Sequence, residues 1–214
     1  DIGDEGAVGL AMNTSWNFLK ILYLNENRIG DKGAVAIGGN VTWIYLEELI
    51  LYQNEIGNLG ASSFGYNTTW RALKKLYLGV NKIGDEGAIA IARNTRWANL
   101  EELDLSKNFI CNEGASDIGD NKYWDNLKKL DLSDNKIGDV GAISIGKNNR
   151  WSPLKELYLT NNMIGYKGTA VILANPLWDG LCVEFSGNLP LTRERRNNLK
   201  SSSTWCKINL YASI

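Results

Sequence analysis

The sequence predicts an α/β solenoid, with a parallel sheet along one face and a row of short helices along the other. Three observations predict it. All eight tryptophans stand 27 residues apart, at Trp16, Trp43, Trp70, Trp97, Trp124, Trp151, Trp178 and Trp205. A Leu-x-Leu pair recurs at the same interval, as in Leu103 and Leu105. A Gly-Ala pair followed by aliphatic residues recurs between them, as in Gly87 and Ala88. Self-similarity at one fixed period is the signature of stacked repeats that share a continuous core.

Each element follows from its columns. Leu103 and Leu105 alternate with polar neighbours, which is the period of a strand with one face buried. Stacked strands of this kind make a parallel sheet, and each needs a crossover to return the chain. The Gly-Ala half supplies that crossover. Ala88, Ile91 and Ala92 form a short apolar stripe at helical spacing. Asp31 or Asp85 is expected to be the N-cap of such a helix. Asn94 is expected at its end, in the left-handed region.

Other columns keep the period. One runs Ile2, Ile29, Ile56, Ile83, Ile110, Ile137, Ile164 and then Leu191. Two asparagine columns run from Asn13 to Asn175 and from Asn27 to Asn162 without a break. The Asn27 column is read as a ladder whose amides satisfy backbone groups at a tight bend. The tryptophans are read as a core ladder, because strict recurrence suits packing. An exposed aromatic platform for carbohydrate is the weaker alternative.

The full repeat reads I-G-D-x-G-A-x-x-I-x-x-N-x-x-W-x-x-L-x-x-L-x-L-x-x-N-x. Its second half, Leu100-Glu101-Glu102-Leu103-Asp104-Leu105-Ser106-Lys107-Asn108, has the L-x-x-L-x-L-x-x-N pattern. On these residues the chain resembles the leucine-rich repeat family across essentially its whole length. The Gly-Ala half looks like the ribonuclease-inhibitor type, and is also similar to bacterial effector repeats of the G-A-L-A pattern. The resemblance implies a horseshoe with its parallel sheet on the concave face and short helices on the convex face. It implies a protein-recognition role, with host interaction as the reading suggested by the effector repeats. Fold alone does not imply function.

Residues 1–190 read as seven repeats, and 191–214 as a degenerate eighth repeat acting as a C-terminal cap. The seventh strand segment, Leu181-Cys182-Val183-Glu184-Phe185, is one residue short before the strand. The eighth unit replaces Gly-Ala with Arg193-Glu194-Arg195-Arg196 and is expected to end in a strand near Ile208 to Leu210. Solenoids need polar caps, and a solvated cap face explains those arginines better than a nucleic-acid patch. The chain opens on Asp1 rather than Met, so it is expected to be a fragment or a processed product.

Composition removes several chemistries. The 214 residues carry 23 Lys+Arg, 24 Asp+Glu and no His, for a net charge of −1. Binding of nucleic acid by bulk electrostatics is therefore not expected. Without His there is no Ser-His-Asp or Cys-His nucleophile and no imidazole base. Three widely spaced cysteines, Cys111, Cys182 and Cys206, make neither a disulfide framework nor a Cys₄ zinc site. No apolar run reaches the length of a membrane span, and no signal peptide is visible. The Gly-Asp-Glu-Gly strings lack the ligands of a calcium loop and the Lys of a phosphate loop. No catalytic residue, metal ligand or cofactor is expected, and localisation stays open between cytoplasmic and secreted. Asn13, Asn40 and Asn67 match glycosylation sequons but belong to the structural Asn column.

The candidate site is the set of outward strand residues, which vary while the framework does not. The partner-binding residues read from it are Tyr23, Glu48, Ile50, Tyr52, Lys75, Tyr77, Glu102, Asp104, Lys129, Asp131 and Tyr158. In-register strands would stack Glu48, Lys75, Glu102, Lys129 and Glu156 as an alternating ion ladder roughly 5 Å apart. Tyr and Ile anchors beside charges are common interface chemistry, although the same residues suit strands. The expected function is non-catalytic recognition of another protein by a monomer. The alternatives are the substrate-recognition part of a larger enzyme or signalling protein, and a structural surface repeat.

Overall fold

The computed structural model describes residues 1–178, 180–201 and 207–209. Eight helix–strand units follow one another: α1 (Asp4–Ala11) and β1 (Ile21–Tyr23), α2 (Asp31–Gly38) and β2 (Glu48–Ile50), α3 (Asn58–Tyr66) and β3 (Lys75–Tyr77), α4 (Asp85–Ala92) and β4 (Glu102–Asp104). The series continues with α5 (Asn112–Gly119) and β5 (Lys129–Asp131), α6 (Asp139–Gly146) and β6 (Glu156–Tyr158), α7 (Tyr166–Leu173) and β7 (Cys182–Glu184), then α8 (Arg193–Ser201) and β8 (Lys207–Asn209). The strands form one open parallel sheet in chain order. Trp205, Cys206 and Leu210 lie outside the described residues.

Pairing from β1 to β6 advances by whole repeats, so Leu22, Leu49, Leu76, Leu103, Leu130 and Leu157 face one another across the ladder. The shortened seventh unit sets Cys182 opposite Glu156 and Val183 opposite Leu157. Strands lie 4.7–4.9 Å apart whereas packed helices need about 8–10 Å. The stack therefore bends with its sheet on the inner, concave side.

The core lies between the sheet and the helices. The central strand leucines, the isoleucine column from Ile29 to Ile164 and the tryptophans from Trp43 to Trp178 are all buried there. Trp124, Trp151 and Trp178 stack with ring centroids 6.4 and 6.5 Å apart. Burial of these rings excludes them as a surface platform. Trp16, in the first unit, remains 38% exposed. The indole N–H groups of Trp43, Trp70, Trp97, Trp124 and Trp151 have no hydrogen-bond acceptor, whereas Trp178 donates to the Trp151 carbonyl at 3.1 Å. Apart from that one bond the ladder holds by apolar area, with ring stacking from Trp124 to Trp178.

Helix packing is close because the residues between neighbours are small. A Cβ at Gly65 would run into the backbone of Ala90 on α4. At Gly87 it would meet the Ala61 methyl at 2.9 Å.

Two expectations about caps are corrected. Asp31 and Asp85 do not cap their own helices; they are first helical residues, and the N-caps are Gly30 and Gly84 with no side-chain bond. Each carboxylate instead caps the helix of the following repeat. Asp31 Oδ1 accepts from the Gly57 and Gly60 N–H groups, both at 2.8 Å. Asp4, Asn58, Asp85, Asn112 and Asp139 make the same double contact one unit further on. The series stops at Tyr166, which opens α7 with no carboxylate.

Asn94 is not left-handed. Its amide donates to the carbonyls of Gly65 and Asn67, and its Oδ1 accepts from Arg96 N–H. The left-handed residues precede the other asparagine column: Glu26, Gln53, Val80, Lys107, Asp134 and Asn161, with φ of 51–57°. The ladder asparagines behave as read from sequence. Asn54 Oδ1 accepts from Ile29 N–H at 2.9 Å, and its amide donates to the Leu24 and Leu51 carbonyls. Each ladder asparagine thus ties two repeats together.

Candidate functional site

The outward residues of β1 to β6 stand in three columns on the concave face, placed by the strand period and the in-register pairing. The first column is the alternating ladder. Lys75 Nζ lies 3.3 Å from Glu48 and 3.7 Å from Glu102, and Lys129 Nζ lies 3.8 Å from Glu156. A second ladder runs beside it, with Glu47 between Lys20 and Lys74 at 3.0 and 2.6 Å, and Glu101 bonded to Lys128 at 2.7 Å. The two lysines hold the Glu47 carboxyl below the usual carboxylate range.

The second column ties its tyrosines to the first. Tyr23 donates to Glu48 at 2.9 Å, Tyr77 to Glu102, and Tyr158 to Glu156 at 3.0 Å. Burial and the neighbouring glutamate push the Tyr77 phenol well up, and the same pair of causes pushes Tyr158 up to about 12. Both phenols therefore stay protonated donors at neutral pH. Lys129 also lies 5.4 Å from the centre of the Tyr158 ring. The rings are thereby held in place before any partner arrives, which lowers the ordering cost of binding.

Over β1 to β3 the columns enclose a concavity of about 350 Å³ lined by Tyr23, Asn25, Glu48, Ile50, Tyr52, Lys75 and Tyr77. Six of the residues read from sequence as the binding face meet here. Apolar surface is concentrated in the same units. Tyr23 is 60% exposed, and Phe18 stacks on Tyr45 at 5.7 Å, both of them open to solvent.

Over β4 and β5 the face turns acidic. Asp104 and Asp131 are register partners. Asp104 accepts from Ser106 N–H at 2.8 Å, and Asp131 from Ser133 N–H at 2.9 Å. Burial raises the Asp131 carboxyl above its ordinary range, and the Asp104 charge adds to that rise. Gly79 makes the room: a Cβ there would stand 2.9 Å from the Asp104 carboxylate oxygens. Sequence reading named Asp104 and Asp131 as contacts but missed that their neighbours, Ser106 and Ser133, orient them. The Asp-x-Ser spacing carried that signal, since Asp readily bonds the backbone two residues on. Glu102, Lys129 and Tyr158 lie further along the same face.

Two of the three sequons, those at Asn40 and Asn67, fit poorly with modification. The Asn40 amide donates to the Ala11 carbonyl, and the Asn67 amide to those of Gly38 and Asn40, with both side chains buried. Among the described residues no cluster of three potential ligands could hold a metal, and no helix is long and apolar enough to cross a membrane.

Comparison with known proteins agrees with this architecture. The family model for the leucine-rich repeat matches residues 17–38, 71–92, 98–119 and 126–146. No curated protein matches the chain. Among solved structures, the chain is similar to an internalin from Listeria monocytogenes, with a TM-score of 0.55 over 87% of this chain at 20% identity. At that identity the likeness is one of fold. The chain spans about half of that internalin, 51% of its length. The repeat that fills the sequence, the stacked strands and helices it builds and these matches agree on a leucine-rich repeat solenoid as the fold of this chain.

Proposed function

We propose that the concave face recognises another protein and that the chain performs no catalysis of its own. The observation that carries this reading is the concavity over β1 to β3. It gathers three tyrosines, Ile50 and two charged side chains on an open sheet, with the Tyr23 and Tyr77 rings braced by glutamates. Rigid aromatic anchors with charges around them are what binding hot spots use. The acidic stretch of Asp104 and Asp131, and the Glu102, Lys129 and Tyr158 positions beyond it, extend the contact surface. Absence of His removes the commonest general base and nucleophile activator.

The test is affinity capture from source-cell lysate, comparing the native chain with Tyr52→Ala/Tyr77→Ala and with a convex-face control, Leu59→Ala. Thermal unfolding is checked for each. A protein captured by the native chain and the control, and lost by the double variant, supports the concave face. Equal capture by all three overturns it.

A further inference from the structure

The charge pattern of the concave face specifies the chemistry of what sits on it. We propose that the recognised segment presents an apolar side chain and, two to four residues away in either direction, Lys or Arg. This rests on the concave-face reading above and adds the partner's chemistry to it.

The apolar element is set by the concavity. Its walls are Tyr23, Tyr52 and Tyr77, with Ile50 between them, and its volume of about 350 Å³ admits a large side chain. The basic element is set by Asp104 and Asp131. They sit on adjacent strands in register, so two carboxylates share one short stretch of sheet. Like charges directly opposite on a sheet repel. Neither forms an ion pair among the described residues, although both ladder lysines beside them do. Lys75 is held between Glu48 and Glu102, and Lys129 faces Glu156 and the Tyr158 ring. The two ladder lysines beside the acid pair are thus drawn to other carboxylates, which leaves room for an outside cation at Asp104 and Asp131. An incoming guanidinium or ammonium would meet both carboxylates and relieve their repulsion.

The spacing follows from the sheet. Adjacent strands are about 4.8 Å apart, so the acid pair lies about 10–15 Å from the middle of the concavity. An extended segment crossing the strands puts its same-side residues about 7 Å apart at i, i+2 and about 13 Å apart at i, i+4. The apolar and basic side chains must therefore fall on the same side of that segment four residues apart, three if it kinks, or two where the length of the Lys or Arg side chain covers the remaining distance.

The experiment pans a random dodecapeptide display library against the immobilised chain, then measures synthetic copies of the enriched peptides. The expected result is a shared apolar residue with Lys or Arg two to four positions away, on one consistent side of it. Asp104→Asn/Asp131→Asn should weaken such peptides about tenfold or more, one decade per 1.4 kcal/mol. Changing the peptide's Arg to Gln should produce the same loss, and the two changes together should cost little more than either alone. Peptides lost by Tyr52→Ala/Tyr77→Ala but indifferent to the Asp→Asn change overturn the basic element and leave the concave face standing. Peptides held equally by every variant overturn both readings. Absence of any enriched peptide also overturns the proposal. Unfolding should not mimic the expected loss, because the double variant removes two repelling charges and keeps an amide oxygen to accept from the Ser106 and Ser133 N–H groups.

Discussion

Asp31 caps a helix that is not its own: its Oδ1 accepts from the N–H groups of Gly57 and Gly60, the N-cap and third helical residue of α3. These are the donors that a helix N-terminus leaves without partners. The glycines at the N-cap have no side chain to satisfy them, so the preceding repeat does it. Asp31→Ala should therefore destabilise the protein by about 1 kcal/mol, in line with loss of an N-cap. Asp31→Asn should cost much less, because Asn58 and Asn112 already make the same pair of contacts with an amide oxygen. Urea unfolding of the two variants distinguishes this from a charge–dipole effect, which would penalise both.

The tryptophans differ in their polar bonding. Trp97 is fully buried with an unpartnered N–H, whereas the Trp178 N–H donates to Trp151. Trp97→Ala should cost about 3–5 kcal/mol through the cavity it leaves. Phe substitution should separate the two sites. At 178 it loses a hydrogen bond worth roughly 1 kcal/mol, while at 97 it loses none. Thermal denaturation should therefore find Trp178→Phe the more damaging of the two Phe variants.

Val80 carries a φ of 55°, a conformation that a β-branched residue adopts only under strain. Asp134 and Asn161 occupy the equivalent position two and three repeats later. The Val80 N–H donates to the Ser106 carbonyl at 2.9 Å, a bond that any non-proline residue preserves. Val80→Asn should stabilise the protein by about 1 kcal/mol, since the left-handed region costs an ordinary residue roughly 1–2 kcal/mol. An unchanged or lower unfolding midpoint would count against strain at this turn.

The acid pair makes stability depend on pH. The Asp131 carboxyl is raised in the folded protein, first by burial and then by Asp104. A raised carboxyl binds its proton more tightly folded than unfolded, so its ionisation destabilises the fold at neutral pH. That cost should fade as pH falls through the raised folded value toward the ordinary Asp range. Asp131→Asn should accordingly raise stability at pH 7 by roughly 0.2–1 kcal/mol, the range for cross-strand pairs. The advantage should shrink in acid. Glu47 pulls the other way: its carboxyl is lowered by Lys74 and Lys20, so its contribution is present above the ordinary Glu range and disappears as pH falls through the lowered value. Unfolding curves of the native chain and Asp131→Asn at several pH values separate the two.

Much of the face was legible because a strand's period is two. Once Leu103 and Leu105 are assigned inward, Glu102, Asp104 and Ser106 must point outward, and the 27-residue interval supplies their neighbours. The Glu48–Lys75–Glu102–Lys129–Glu156 order could be written down before any coordinates, and the register places those residues side by side. The concavity over β1 to β3 was not legible, since it depends on how Tyr23 and Tyr77 lean onto Glu48 and Glu102. Nor was the role of Gly79, whose missing Cβ leaves space for the Asp104 carboxylate on the next strand.

The caps mark the boundary between the two kinds of information. The sequence by itself determined the repeat length, the strand and helix of each unit, the buried columns and the outward columns, because these follow from period and polarity within one unit. Only the tertiary structure decided where the polar side chains make their bonds. Asp31, Asn54 and Asn94 bond backbone groups lying 25 to 30 residues away. Helices of two turns and strands of three residues cannot satisfy their own ends, and stacking brings the neighbouring repeat within hydrogen-bond reach.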